Sequence, residues 1–169
     1  YYQWKWEKHR FSESGSFFST SDVIDEAGHV ILHPLVPTGV WRAEDDEPSD
    51  SGQFGVSLTY IADWLLGTEF GLYYLNYHEK APGSVLAIPN YYLKFAEDVK
   101  LYGASISSMI GQVNVSGEIS YRKDFPVAME APQAPENANI LQAQVSWVYL
   151  WGSAPVCDSL TVMGEVGYN

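Results

Sequence analysis

The chain has one cysteine, Cys157, so an internal disulfide is excluded and the redox compartment stays open. Basic residues are scarce: nine Lys and Arg stand against 21 Asp and Glu, a formal net charge of −12. Binding to a phosphate backbone needs a basic stripe, so nucleic acid is excluded as a partner. Long apolar runs are also missing. "YIADWLLG" is interrupted by Asp63, and no window approaches the roughly 18 to 20 apolar residues of a membrane-spanning helix. There is no phosphate-binding glycine loop, no nucleophile elbow, and no cluster of cysteine and histidine. With those signatures absent, the chain reads as a non-enzyme without a cofactor.

Aromatic rings are abundant, at 15% with 6 Trp and 12 Tyr, in a chain whose mean hydropathy is only −0.14. Such half-apolar rings suit membrane interfaces and sugar-binding faces alike. The organising signal is alternation. In "VNVSGEISYR", Val113, Val115, Gly117, Ile119 and Tyr121 share one parity, and Asn114, Ser116, Glu118, Ser120 and Arg122 share the other. A strand of this kind has one apolar and one polar face. In a soluble β-protein the apolar face meets a core, whereas in an outer-membrane barrel it meets lipid and the polar face lines a lumen.

Seven segments alternate over roughly nine to twelve residues, the length of tilted membrane-crossing strands. "YYQWKWEKHRF" places Tyr2, Trp4 and Trp6 opposite Gln3, Lys5 and Glu7. "FGVSLTYIADW" places Phe54, Val56, Leu58, Tyr60, Ala62 and Trp64 opposite Gly55, Ser57, Thr59, Ile61 and Asp63. "EFGLYYLNYHE" is apolar on both parities, which leaves its faces unassigned, and "DVKLYGASISS" sets Tyr102, Ala104 and Ile106 against Gly103, Ser105 and Ser107. After "VNVSGEISYR" come "ILQAQVSWVYLW", with Val145 and Trp147 opposite Gln142 and Gln144, and "SLTVMGEVGY", with Val166 opposite Glu165. No segment has the three-and-four spacing of an amphipathic helix.

The connections alternate in length. Long polar loops at about 12–53, 80–97 and 123–139 are interleaved with the short turns "LLGT", "MIGQ" and "GSAPVCD". Outer-membrane barrels have this asymmetry, with short periplasmic turns and long extracellular loops, whereas Greek-key sandwiches have no reason for it. The sequence therefore predicts an all-β fold, an antiparallel up-and-down transmembrane β-barrel. The candidate lumen-lining residues are Lys5, Glu7, Ser57, Thr59, Asp63, Asn114, Ser116, Glu118, Arg122, Gln142, Gln144 and Glu165.

Nine carboxylates lie between Phe11 and Phe54 against the single Arg42. The run "AEDDEPSD" offers Glu44, Asp45, Asp46 and Glu47 to a hard cation, but it lacks the Asp/Asn and Gly spacing of a calcium loop. A solvated acidic loop is the plainer reading. His29 and His33 of "HVILH" sit between "DEAG" and "PLVP", a loop context without the helix face that would aim both rings at one zinc ion. His78 and Asn76 share a parity, too little for a catalytic pair, and nothing fixes the carboxylate separation that glycoside hydrolysis needs.

At "SGSFFSTSDVIDEAG", "LLGTEFGLYYLNYHEKAPG" and "VKLYGASISSMIGQVNVSGEISYRKDFPV" the chain resembles an uncharacterised proteobacterial outer-membrane β-barrel family, domain of unknown function thirteen-oh-two. The resemblance covers nearly the whole chain. It implies a portion of a longer barrel in the bacterial outer membrane, in contact with membrane lipid and lipopolysaccharide and with further strands or partner chains. It also implies passage of hydrophobic or aromatic small molecules or lipids, and it assigns no catalytic residue. Two alternatives remain at this point: a soluble secreted β-sandwich that binds carbohydrate through its aromatics, and a barrel serving as a surface adhesin or scaffold.

Overall fold

A computed structural model describes residues 1–19, 23–24, 30–33, 36–127, 136–154 and 157–169. The strands are β1 (Tyr2–Gln3), β2 (Val30–His33), β3 (Val36–Arg42), β4 (Gln53–Ala62), β5 (Thr68–Tyr77), β6 (Gly83–Ala87), β7 (Asn90–Lys94), β8 (Val99–Ile110), β9 (Val113–Val127), β10 (Glu136–Ala154) and β11 (Cys157–Tyr168). They form two sheets. Seven strands make an antiparallel up-and-down sheet in the order β1-β4-β5-β8-β9-β10-β11, and four make a smaller sheet in the order β2-β3-β7-β6. The large sheet is not closed: β1 and β11 are its edges, as in a portion of a barrel. Among the described residues the one helix is the 3-10 turn Asp63–Leu65, and no helix is long and apolar enough to cross a membrane.

Turn chemistry sets the meander. Between β4 and β5 the chain reverses through Leu66 and Gly67, both left-handed at φ 57° and 69°. Between β8 and β9 a two-residue hairpin loop starts at Gly111, φ 64°, the conformation that matches the twist of the flanking strands. These turns lie at one end of the sheet, together with Ala154 and Cys157, while the described ends of the long connections lie at the other, hereafter the loop end.

Two long connections carry structure that alternation does not reveal. The segment 12–53 contributes β2 and β3, and the segment 80–97 contributes β6 and β7. The third is shorter than 123–139 because β9 runs on to Val127 and β10 begins at Glu136. A bulge allows this continuation. Asp124 is left-handed at φ 61°, and the β9–β10 register slips between the pairs Arg122–Ile140 and Phe125–Ala138. The extra residue turns Phe125 onto the same face as Arg122.

The first segment departs from expectation as well. Only Tyr1, Tyr2 and Gln3 pair with β4, because Trp6 leaves the sheet. Its backbone N–H donates to Asp50 Oδ1 at 3.2 Å, and its ring packs edge-on against Phe95 at 5.0 Å. Trp6, Leu93 and Phe95 form the buried cluster at the loop end, with Ile24 against it. Val40 and Tyr91 of the small sheet are buried too. β3 and β7 run parallel, and the backbone bonds Ala43 N to Tyr91 O and Asp46 N to Leu93 O extend their pairing into the acidic run.

Candidate functional site

Register assigns the paired residues of the large sheet to a face, including those of β5, whose sequence is ambiguous. Pairing of Val56 with Tyr74, Leu58 with Leu72 and Tyr60 with Phe70 puts the even-numbered residues of β5 beside the apolar parity of β4. Successive rows can then be followed across the strands. On the apolar face, Val56, Tyr74, Tyr102, Tyr121 and Leu141 form one row. Beyond it come Leu58, Leu72, Ala104, Ile119, Ala143 and Tyr168, and then Tyr60, Phe70, Ile106, Gly117, Val145 and Val166. Two further rows, containing Val115 with Trp147 and Val113 with Tyr149, complete a band of five rows without one charged side chain.

This band is exposed. Val56, Leu58 and Val166 are 63%, 64% and 65% exposed, and Tyr102, Ile119 and Val145 are near half. In water such an area of aliphatic and aromatic surface demands a covering partner. Its polar members are satisfied locally: Thr68 Oγ1 lies 2.8 Å from Ser108 Oγ and donates to the Leu65 carbonyl. Gly164 has no side chain because the Trp147 ring lies over it, where an added Cβ would collide.

Rings mark both margins of the band. Toward the loop end Phe54, Tyr74, Tyr102 and Tyr121 run across four strands with successive centroids 5.8, 5.2 and 6.5 Å apart. Toward the tight turns stand Trp64, Tyr149 and Trp151, the last two 5.5 Å apart. From Tyr121 to Val113, the partner of Tyr149, is eight residues, about 26 Å along a strand and about 20 Å once a barrel-like tilt is allowed for. The aromatic-flanked band of membrane barrels is of this order, about 25 Å tall.

On the opposite face nine of the candidate residues come together: Ser57, Thr59, Asn114, Ser116, Glu118, Arg122, Gln142, Gln144 and Glu165. Rows there read Thr59, Gly71, Ser105, Glu118 and Gln144, and then Ile61, Glu69, Ser107, Ser116, Ser146 and Glu165. Hydroxyls bond across strands: Ser107 to Ser116 at 3.1 Å, and Tyr73 to Ser105 at 3.1 Å over Gly71. Glu69, Tyr73, Ser105 and Ser107 belong to this face although alternation did not single them out as site residues; the register of β5 and β8 is the signal that places them.

The other three candidates lie elsewhere. Asp63 starts the 3-10 turn, past the end of β4. Lys5 and Glu7 follow the point where the chain leaves β1 and pair with each other at 2.9 Å, both exposed. Because Trp6 turns into the loop-end core, its neighbours lose the alternation of a strand.

Toward the loop end the polar face becomes apolar. Gly55, Leu75, Leu101 and Ile140 share a row with Arg122, whose guanidinium sits 5.6 Å over the Phe125 ring that the bulge delivers. A hollow of about 550 Å³ is lined by Tyr1, Gly55, Val56, Ser57, Tyr73 and Leu75.

At the loop end the acidic run engages bases. Asp45 accepts from Arg42 at 3.0 Å, from Lys8 at 3.2 Å and from the Leu93 amide at 3.2 Å. Burial pushes its carboxyl up, but Arg42, the Leu93 amide and Lys8 together outweigh burial and hold it below the ordinary Asp value. Lys8 is raised, chiefly by its hydrogen bond to Glu47 at 2.6 Å. Asp46 pairs with Lys94 at 3.6 Å. Asp45, Asp46 and Glu47 thus point at cations of the chain itself and not at a common centre. Among the described residues no group of three or more His, Cys, Asp and Glu side chains converges as metal ligands. His29 lies outside the described residues, as does the side chain of His33.

His78 is 1% exposed and has a structural place. Its Nδ1 accepts from the Asp98 amide at 3.1 Å, so the ring proton is on Nε2, which donates to the Ser51 carbonyl at 3.0 Å. Asn76 donates to the Gly52 carbonyl at 3.0 Å and to Asp98 Oδ1 at 2.8 Å. Together they tie the loop-end termini of β4, β5 and β8.

Neither the curated proteins nor the solved structures contain a match to the chain. One family does match, over residues 1–169, and its description gives no activity. The chain belongs to the family described as Protein of unknown function (DUF1302).

Proposed function

We propose that this chain forms part of the wall of an outer-membrane β-barrel that passes hydrophobic or aromatic small molecules, or lipids, along its polar face. The observation that carries the reading is the uncharged, exposed band five rows deep, bounded by aromatic rings at both margins. Lipid is the solvent in which that surface is stable without a protein partner. The two unpaired sheet edges fit the same reading, because further strands or partner chains are needed to satisfy their backbone groups within a bilayer. Support for an apolar cargo comes from the Tyr73 and Leu75 hollow and the Leu101, Ile140 and Phe125 surface, which precede the hydroxyl-rich rows on a path from the loop end.

A pair of substitutions on adjacent residues tests both faces. Val115→Arg is expected to cost about 2 to 4 kcal/mol near the mid-depth of the band and to impair assembly into bilayers. Ser116→Arg, one residue on, is expected to assemble normally and to change solute flux through reconstituted vesicles. Equal effects on assembly defeat the two-faced reading. A wild-type protein released from membranes by an alkaline wash defeats the membrane reading and favours a soluble sandwich.

A further inference from the structure

The basic residues of this acidic chain are unequally partnered. Lys5, Lys8, Arg42 and Lys94 are held in ion pairs at the loop end. Arg10, Lys80, Lys100, Arg122 and Lys123 form no ion pair among the described residues, and register brings the last three to one height on β8 and β9. Arg122 is on the polar face. Lys100 and Lys123 are on the apolar face and directly opposite each other. Two like charges so placed repel, and an antiparallel pair carries them at a cost in stability unless an anion lies between.

Their row identifies the anion. It is the row immediately beyond Tyr74, Tyr102 and Tyr121, with Phe54 and Asn76 as its other members. If tyrosines sit at the headgroup level of a bilayer, lysines one row farther out project their ammonium groups to the depth of lipid phosphates. Lys100 is half-buried and Lys123 exposed, so both are within reach of a ligand. Neither nearby carboxylate is within ion-pair distance of them: Asp98 accepts from Asn76, and Asp124 occupies the bulge. Elsewhere the excess of carboxylates repels an anionic surface, which makes a local cation pair the natural contact with one. The loop end is the end with long connections, the outward side of an outer-membrane barrel, and its leaflet is built of phosphorylated glycolipid.

We infer that Lys100 and Lys123 form a site for the phosphate of an outer-leaflet glycolipid of the lipid A class. The site rests on the membrane reading above. A phosphate bridging the two ammonium groups replaces their repulsion with charge-assisted hydrogen bonds and fixes the barrel wall at a set depth. Arg122 is on the other face and takes no part.

The test is native mass spectrometry of the purified protein in mild detergent, titrated with bisphosphorylated lipid A, with its dephosphorylated form and with inorganic phosphate. The wild type is expected to retain the phosphorylated lipid selectively. In the double variant Lys100→Gln, Lys123→Gln, retention falls on the order of tenfold as two charge-assisted bonds are lost, and Lys100→Arg, Lys123→Arg restores it. Equal retention by the Gln variant, or a wild type indifferent to lipid phosphorylation, overturns the site. Competition by inorganic phosphate at equal concentration overturns the lipid as its source. Insertion of each variant into vesicles is followed in parallel: a wild type that does not insert defeats the membrane reading, whereas normal insertion with lysine-independent binding defeats only the lipid site.

Discussion

The two sheets of this chain treat the same kinds of side chain in opposite ways. In the four-stranded sheet and the segments around it, Trp6, Val40, Tyr91, Leu93 and Phe95 are buried, and Lys8, Arg42 and Lys94 meet carboxylates. In the seven-stranded sheet, Val56, Leu58, Leu72, Ile119, Val145 and Val166 are exposed on one face, and the polar residues bond to one another on the other. The first arrangement is what water imposes. The second leaves apolar side chains uncovered while the backbone is paired strand to strand, which is the arrangement the proposed membrane setting accounts for. One polypeptide thus divides into a part with a buried core and a part with an exposed apolar face, separated by the row of Phe54, Tyr74, Tyr102 and Tyr121.

That contrast is broken most severely from within the loop end. Phe95→Ala is expected to cost about 3 to 5 kcal/mol of loop-end stability, because the ring that Trp6 packs against is removed from a buried site. Limited proteolysis of membrane-reconstituted protein reads the effect: cleavage within 1–50 and 80–97 rises while the long strands stay protected. Protection of both regions to the same degree would mean that Phe95 is not a core residue. A smaller loss, about 2 to 3 kcal/mol, is expected for His78→Ala, which strips the Asp98 amide and the Ser51 carbonyl of their partners at the loop-end termini of β4, β5 and β8. Hydrogen exchange at Asp98 and at the start of β8 should accelerate, and an unchanged rate there counts against the tie.

Acid separates the regions without mutation. The carboxyl of Asp45 is held below its ordinary value of 3.8, so the native state binds its proton less readily than the unfolded chain does. Its contribution is therefore fully present above about pH 4 and is lost as the pH falls through the depressed value. Glu97, lowered mainly by its hydrogen bond from Ser49, adds to the same trend. Loop-end fluorescence from Trp6 should change below pH 4 while strand content, followed by circular dichroism, holds; simultaneous loss of both would merge the two regions into one cooperative unit. The mildest expectation is Tyr102→Leu, which keeps the apolar area and removes the ring between Tyr74 and Tyr121, for about 0.5 to 1.5 kcal/mol. Vesicle refolding yield in denaturant titration measures it.

Alternation made the large sheet legible because a period of two survives wherever a strand separates two unlike surroundings. It located the faces of β4, β8, β9, β10 and β11 and the places of the tight turns, though it read residues of β8, β10 and β11 into the turns "MIGQ" and "GSAPVCD". It failed for β5, where Phe70, Leu72 and Tyr74 on one parity and Gly71, Tyr73 and Leu75 on the other are all apolar or neutral, so that only pairing with β4 decides. Nor did it show the small sheet, whose strands of four to seven residues are too short for a pattern to emerge from the flanking prolines and acids. Lys5 and Glu7 were misled by Tyr2, Trp4 and Trp6, three aromatics with a strand's spacing, of which the last is claimed by a tertiary contact. For the polar face, nine of twelve candidate positions fall together because the same parity that carries the serines carries the charges.

The segregation of tight turns to one end has a consequence for how such a chain changes its length over evolutionary time. Duplicating or deleting a single strand would carry a long connection to the tight-turn end and reverse the direction of every strand after it. Duplicating a hairpin adds one tight turn and one long connection and leaves all other ends where they were. The natural unit of inheritance in this sheet is therefore the strand pair, and the long connections are where lineages can diverge without disturbing the rest.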